Sequence, residues 1–341
     1  MDFTILIPAF LYLLLAHQAQ AGGYTPPYMT LPAPPSLPDA VATGYVNLSD
    51  GVDIWYAHFG PTLEESFARG RAPVLFLHGA HASSDYWGHQ IRYLLSQNDP
   101  RTILAIDSRL MGRSTYGDMT TSFARKAADA IAVLDHFHIP QAAVVGWSNG
   151  AAVLINLLLD YPSRVERAFV FAGWYDASTS LNQTTGTAQY NATSAVYFNR
   201  TLEELMRLSV HPELVPAARQ AYYEEYMREP HWDSTDFARI PTGLDNCQDS
   251  PLVWYVEAAE EEVINRGVAG IMHKWTPGST LWVLPNVSHW ALLQDPVAFN
   301  DVLHRFLEDP RHCGLWGATC LNPGFAQQLQ DRGPGFPLVA R

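Results

Sequence analysis

The chain has 341 residues, of which 48% are hydrophobic, and its 34 acidic and 21 basic residues give a net charge of −13 at pH 7. This length and composition favour one α/β domain that carries an insertion and buries a large core. The acidic balance argues against a nucleic-acid partner and against binding to anionic membrane surfaces.

The first residues resemble a cleaved secretory signal. An apolar run over residues 3–16 is followed by Ala19-Gln20-Ala21, the small-x-small pattern that signal peptidase accepts. The run is shorter than the roughly 18 residues that cross a bilayer, so we expect a secreted protein with no stable membrane anchor. Asp2 stands where a basic residue is usual, so a membrane-tethered or buried N-terminal helix is the alternative.

Sequons and cysteines agree with an extracellular location. Four sequons are candidates for glycosylation, at Asn47, Asn182, Asn191 and Asn199. The chain has three cysteines, and Cys313 and Cys320 lie close together in a glycine-rich tail. We expect these two to form a local disulfide that leaves Cys247 free, and pairing of Cys247 with either of them is the alternative.

Strand and helix patterns alternate along most of the chain. Short apolar runs predict strands at 45–48, 52–58, 73–77, 102–106, 142–145, 168–172, 252–256 and 281–284. Helical spacing predicts helices at 86–95, 123–137, 151–159, 202–208, 216–227, 260–266 and 297–307. This alternation predicts an α/β fold with a mostly parallel central sheet and helices on both faces.

The strand signal disappears between residues 177 and 249, where helical patterns replace it, and this gap predicts an inserted helical cap. Aromatic side chains such as Trp174, Tyr197 and Tyr226 crowd the predicted cap and the hinge before it, and we interpret most of them as cap core. The expected order is signal peptide 1–21, proline-rich lead-in 22–41, core 42–176, cap 177–249, core 250–309 and tail 310–341.

The segment QAAVVGWSNG (141–150) places Ser148 at the apex of a sharp turn between a strand and a helix. The pattern G-x-S-x-G is typical of a serine nucleophile held in strained backbone geometry, with Gly146 and Gly150 keeping side chains out of the crowded flanks. The alternative interpretation is a glycine-bounded turn that carries a solvated serine.

Four stretches resemble the α/β-hydrolase superfamily in sequence and in order: LFLHGA (75–80), DSRLMGRS (107–114), VVGWSNGA (144–151) and LPNVSHWALLQDP (284–296). The elbow is similar to that of valacyclovir-hydrolase-like and enol-lactonase-like serine esterases, with Asn149 in place of an acidic residue. In the stretch DSRLMGRS, Leu110 stands in place of that branch's glycine. The resemblance implies an enzyme that cleaves a small-molecule carboxylic ester or lactone through an acyl-enzyme intermediate. A peptidase or amidase, or a silent ligand-binding member, is the alternative.

Order along the chain gives the partners of the serine, since the superfamily sequence is Ser, acid, His. His289 follows the strand at 281–284 by a short loop and is the expected base, so we predict that the nearby sequon at Asn286 is unglycosylated. Aligning Pro251 with the proline of the family pattern P-x-L-V-I-x-G-x-x-D places Glu260 on the acid. Asp176 is the alternative acid, and Glu261 and Glu262 are near neighbours.

Backbone N–H groups complete the expected site. By resemblance, those of Asn149 and Ala80 bind the oxyanion that forms on an attacked carbonyl. His78 and Gly79 shape the loop that carries Ala80. The sequence has no glycine-rich phosphate loop, no metal-spaced His or Cys cluster and no basic patch, so we expect neither a cofactor nor a metal.

Overall fold

The computed structural model describes residues 24–180, 187–242 and 250–309. The predictions for the signal peptide, for Asn182, for the tail and for the three cysteines lie outside these residues.

Eight strands form one sheet in the order β1-β2-β4-β3-β5-β6-β7-β8. The pairs β1·β2 and β2·β4 are antiparallel, and β4, β3, β5, β6, β7 and β8 are parallel to one another. This confirms the predicted mostly parallel sheet. The strands are β1 (Ala42–Asn47), β2 (Asp53–Phe59), β3 (Val74–Leu77), β4 (Ile103–Ile106), β5 (Ala142–Trp147), β6 (Val165–Phe171), β7 (Leu252–Ala258) and β8 (Thr280–Leu284).

Apolar residues cover both faces of the central strands because successive side chains of a strand point to opposite sides. In β3, Leu75 and Leu77 pack in one buried cluster, whereas Val74 and Phe76 pack in a second cluster across the sheet. This two-sided burial explains the uninterrupted apolar runs of the sequence.

The helices are α1 (Leu63–Ala68), α2 (Gly88–Leu95), α3 (Phe123–His136), α4 (Asn149–Asp160), α5 (Ala188–Ala192), α6 (Ser194–Leu208), α7 (Val215–Arg228), α8 (Ser234–Ala238), α9 (Val268–Trp275), α10 (Ala291–Gln294) and α11 (Pro296–Glu308). None of those in the described ranges is both long enough and apolar enough to cross a bilayer.

The helix predicted at 260–266 is wrong, because α9 begins only at Val268. The side chain of Glu261 accepts hydrogen bonds from the backbone N–H groups of Val263 and Ile264, which favours a turn over a helix. Gly267 then adopts a left-handed φ of 87° immediately before α9.

Helices α5 to α8 occupy residues 187–242, between β6 and β7, and we call this segment the helical insertion. It includes the predicted helices at 202–208 and 216–227. The domain boundaries at 177 and 249 stay a prediction.

The lead-in contacts both the insertion and the loop that carries His289. Arg200 of α6 donates hydrogen bonds to the carbonyls of Leu31 and Pro32, each at 2.7 Å. Gln294 of α10 donates to the carbonyl of Thr30 at 2.9 Å. The proline-rich segment is therefore held in place as an extended strap.

Candidate active site

Ser148 follows β5 in the strained geometry that its sequence pattern predicts, with φ 55° and ψ −119°. A Cβ atom at Gly146 would lie 2.4 Å from the carbonyl oxygen of Gly150, and one at Gly150 would lie 2.1 Å from that of Leu77. Both positions therefore require glycine, because any side chain would collide with backbone. The turn exists only because these two residues leave room for it.

Two backbone N–H groups lie beside this turn. Asn149 is the first residue of α4, so its N–H has no partner within the helix and lies at the positive end of the helix dipole. Ala80 follows β3 and lines the same cavity as Ser148. The adjacent His78 is structural: its Nε2 accepts from the backbone N–H of Ser108 at 2.9 Å, so its Nδ1 donates to the carbonyl of Gly79 at 2.8 Å.

His289 follows β8 and is buried, with its ring against the ring of Trp147. Its Nδ1 lies 2.9 Å from Oε1 of Glu261, which is also buried. A carboxylate at Nδ1 fixes the proton there and leaves the lone pair on Nε2. Ser148 and His289 line one cavity, and the Ser148 hydroxyl has no hydrogen-bond partner among the described residues.

Glu260 does not contact His289, which corrects the expected identity of the acid. Its carboxylate pairs with Arg266 at 2.9 Å and is about a third exposed. After β7 the N–H of Glu260 bonds to the carbonyl of Val287, and that of Glu261 closes a tight turn onto Ala258. This turn directs Glu260 to solvent and Glu261 to the imidazole, one residue beyond the position that the family pattern indicates.

Asp176, the alternative acid, is also directed elsewhere. One carboxylate oxygen lies 2.8 Å from Nδ1 of His231, and the other accepts from the backbone N–H of Ser178 at 2.9 Å. The hydrogen bond from His231 lowers the pKa of Asp176. Asp176 therefore fixes the chain where it leaves the sheet.

A second buried carboxylate, Glu262, lies behind His289. It accepts hydrogen bonds from the hydroxyls of Thr193 and Ser288, at 2.7 and 3.2 Å, and from the backbone N–H of His289 at 3.3 Å. Burial, together with the charge of Glu261, raises the pKa of Glu262 to about 7. Thr193 precedes α6, so Glu262 joins the helical insertion to the loop of His289.

An ion pair lies on the other side of the site. Lys126 of α3 is buried, and its Nζ lies 2.6 Å from Oδ1 of Asn149 and 2.6 Å from Oε1 of Glu225 in α7. Nζ also lies 4.2 Å from the centre of the Tyr222 ring. Sequence reasoning missed this pair, although a lysine on the apolar side of α3 was a signal that it needs a buried partner.

The two departures from the esterase branch have structural explanations. The side-chain oxygen of Asn149 accepts from Lys126. Leu110 adopts a left-handed φ of 67°, as the glycine would, and its side chain packs in a buried cluster with Val215 and Tyr222 of the insertion. Leu110 contacts the helical insertion directly, and Asn149 is linked to it through Lys126, which pairs with Glu225.

The cavity beside Ser148 has a volume of about 50 Å³. One water needs about 10–15 Å³ of such space, so the cavity holds roughly four water-sized groups. Trp174 and three aromatic side chains of the insertion, Tyr197, Phe198 and Tyr226, contribute to its wall. Among the described residues, no group of three or more His, Cys, Asp or Glu side chains is arranged to hold a metal ion.

Curated proteins similar to this chain include esterases and lipases. A bifunctional esterase/perhydrolase of Acinetobacter calcoaceticus is 34% identical over 121 residues, which are 35% of this chain and 40% of that protein. An sn-1-specific diacylglycerol lipase of Danio rerio is 24% identical over 256 residues, which are 69% of this chain and 78% of the lipase.

Solved structures share the fold at low sequence identity. An N-acyl homoserine lactone degrading enzyme superposes with a TM-score of 0.55 at 23% identity, covering 77% of this chain and 100% of its own. The enol-lactonase of Burkholderia xenovorans LB400 superposes with a TM-score of 0.56 at 14% identity, covering 77% of this chain and 99% of its own.

The sequence profile of the alpha/beta hydrolase fold matches residues 72–296, which extend from β3 to the first residue of α11. The match includes all four of the stretches that carry the resemblance. With the eight-stranded sheet and the superpositions, it confirms the expected family. This chain belongs to the alpha/beta hydrolase fold family.

Proposed function

We propose that this hydrolase cleaves a carboxylic ester or lactone through an acyl-enzyme, with Ser148 as nucleophile, His289 as base and Glu261 as the acid that orients it. The observation that carries the proposal is the 2.9 Å contact between Nδ1 of His289 and Oε1 of Glu261. His289 and Ser148 line the same cavity. A serine hydroxyl is a weak nucleophile near neutral pH unless a correctly oriented base accepts its proton.

The steps follow from these positions. Oγ of Ser148 bonds to the carbonyl carbon while its proton passes to Nε2 of His289, and Glu261 stabilises the resulting imidazolium. The carbonyl oxygen becomes an oxyanion that accepts hydrogen bonds from the N–H groups of Ala80 and Asn149. Collapse breaks the bond to the alkoxy oxygen, which takes the proton from His289. Water then enters, loses a proton to His289 and releases the acid in the same manner.

Two observations favour an ester or lactone as the substrate. The relatives bear the names esterase, diacylglycerol lipase, lactone degrading enzyme and enol-lactonase. The wall of the cavity is mostly aromatic and aliphatic, and it includes Val263 and Ile264 as well as the aromatic side chains. Such a wall suits a neutral substrate, because burying a charge without a partner is costly.

The test compares wild type with Ser148→Ala on aryl esters of rising acyl length, on lactones and on aminoacyl amides. We expect turnover of short-chain esters or lactones, and a loss of about 10³-fold or more in Ser148→Ala, since the nucleophile is gone. Turnover that survives this substitution would contradict the proposal. Turnover of the aminoacyl amides alone would support a peptidase of the same fold.

We also propose that the protein is secreted and glycosylated. The apolar run at residues 3–16 and the sequons support this, and Asn47, Asn191 and Asn199 are exposed. Asn286 is exposed too, but its side-chain amide donates to the hydroxyl of Tyr24 at 2.7 Å. Peptide mapping of the protein from culture medium tests both points; a product that begins at Met1 and carries no glycan would contradict them.

A further inference from the structure

His81 occupies an unusual position beside the site. It directly follows Ala80, lines the cavity that contains Ser148 and is 5% exposed. Its backbone has a left-handed φ of 61°, which is uncommon for a residue other than glycine. Strained backbone of this kind persists only where the surrounding structure imposes it, and such residues cluster at binding and catalytic sites.

The imidazole of His81 has no hydrogen-bond partner among the described residues, and its Nδ1 is completely buried. Its neighbours are rings, with those of Phe198 and Tyr222 centred 5.9 and 6.1 Å away. Buried polar groups normally have a hydrogen-bond partner, because a buried group without one pays the full free energy of its desolvation. Because Nδ1 has no accessible surface, Nε2 is the nitrogen left for a group in the cavity, and an imidazole without a protein partner at this wall points to a ligand there.

The ring is neutral under ordinary conditions. Burial, together with the positive charges of Arg219 and Lys126, lowers the pKa of His81 to about 3. A neutral imidazole offers one N–H donor and one lone-pair acceptor, so it suits a hydroxyl or an oxo group. The same two cations disfavour a cationic ligand, and the aromatic wall disfavours an ion of either sign.

Resting on the proposed function, we propose that His81 is a specificity-determining residue that binds a neutral oxygen substituent, a hydroxyl or oxo group, near the scissile carbonyl of the substrate. Ala80, His81 and Ser148 line one cavity, so a group bound by His81 lies in the same space as the carbonyl that Ser148 attacks. The substrate class is thus a short ester or lactone that carries an oxygen on its chain.

The experiment uses a matched pair of phenyl esters, of 3-hydroxybutyrate and of 3-methylbutyrate, which differ only in a hydroxyl against a methyl group. The quantity measured is the ratio of their kcat/KM values, divided by the ratio of their rates of alkaline hydrolysis. Within one variant this ratio is independent of the folded fraction, so it separates recognition from a purely structural role. Wild type is compared with His81→Phe, which removes the hydrogen bonds, and with His81→Asn, which keeps them and tolerates a left-handed backbone.

We expect wild type to prefer the hydroxy ester by about tenfold, the usual worth of one buried hydrogen bond. The preference should vanish in His81→Phe and return in part in His81→Asn. Equal rates for the two esters in wild type, or a preference that persists in His81→Phe, would overturn the proposal.

Labelling of Ser148 by a fluorophosphonate probe distinguishes a failure of the proposed role of His81 from a failure of the proposed function. If Ser148 is labelled but neither ester is turned over, the oxygen-substituted class is wrong while the nucleophile stands. If Ser148 is not labelled and no ester is cleaved, the proposed function itself fails.

Discussion

Two buried charged clusters flank the cavity, one behind Asn149 and one behind His289, and they are built in opposite ways. Behind Asn149, Lys126 and Glu225 carry opposite charges. Behind His289, Glu261 and Glu262 carry like charges, and the pKa of Glu262 rises to about 7 for that reason and because it is buried. In the first cluster burial lowers the pKa of Lys126 and raises that of Glu225, and each charge offsets this effect on its partner, whereas the second cluster changes its charge near neutrality.

Both clusters recruit one residue from the helical insertion. Glu225 belongs to α7, and Thr193 precedes α6 and donates to Glu262. The two halves of the site, the oxyanion side and the base side, are thereby each tied to the insertion. Its position on the core and the geometry of the site are therefore linked through buried polar contacts, in addition to apolar packing.

The largest expected effect breaks the base side at Glu261. In Glu261→Gln the amide oxygen can keep the contacts of Oε1 with Val263, Ile264 and the imidazole Nδ1, but the negative charge that stabilises the imidazolium is lost. We expect kcat to fall by about 10³–10⁴-fold.

The matched control is Glu260→Gln, which removes only the half-exposed pair with Arg266. It should stay within about twofold of wild type. Equal losses in the two variants, measured by steady-state kinetics on one ester, would contradict the assignment of the acid.

The second effect breaks the oxyanion side. Lys126→Met leaves the Glu225 carboxylate buried without its cation, and we expect unfolding free energy to fall by about 3–5 kcal/mol in urea titrations. The double variant Lys126→Met with Glu225→Leu removes both charges and should recover most of that loss.

Arg305→Met is the surface control, because Arg305 and its partner Asp301 are both 60% exposed. This substitution should cost less than about 1 kcal/mol. A loss in Lys126→Met no larger than that of the control would show that the buried pair is not a cross-link.

The third expected effect is a dependence of stability on pH, which arises from Glu262 in the cluster behind His289. Because the folded-state pKa of Glu262 is raised from its usual value of 4.5 to about 7, its stabilising contribution is complete below about pH 4.5 and is lost as pH rises through 7. Glu262→Gln cannot ionise. We expect the difference in Tm, wild type minus variant, to fall by several degrees between pH 5 and pH 8. This uses a conversion of about 2–4 °C per kcal/mol.

Thermal unfolding at both pH values measures this difference. Parallel Tm curves for wild type and Glu262→Gln would contradict the proposed titration.

The smallest effect concerns Asp176. Asp176→Asn removes a contact with His231, whose side chain is 68% exposed. We expect activity within about twofold of wild type and a stability change below about 1 kcal/mol, since exposed ion pairs contribute little. A loss of activity similar to that of Glu261→Gln would restore Asp176 as a candidate acid.

The sequence predicted the parts of this molecule that local patterns specify. The elbow at Ser148 depends on two glycines within two residues of it, and the parallel strands appear as uninterrupted apolar runs. The identity of the acid was missed by one residue, because the turn after β7 depends on hydrogen bonds to Val287 and Ala258 that no pattern encodes. The pair of Lys126 and Glu225 joins positions 99 residues apart, so only the tertiary fold reveals it.

The central claim is that His289, oriented by Glu261, activates Ser148, and the rate of labelling by a fluorophosphonate tests it most directly. Peptide mass mapping should find one adduct, on Ser148, formed at the wild-type rate in Glu260→Gln and about 10³-fold more slowly in Glu261→Gln. An adduct on another residue, or labelling of Ser148 that is as fast in Glu261→Gln as in wild type, would contradict the account.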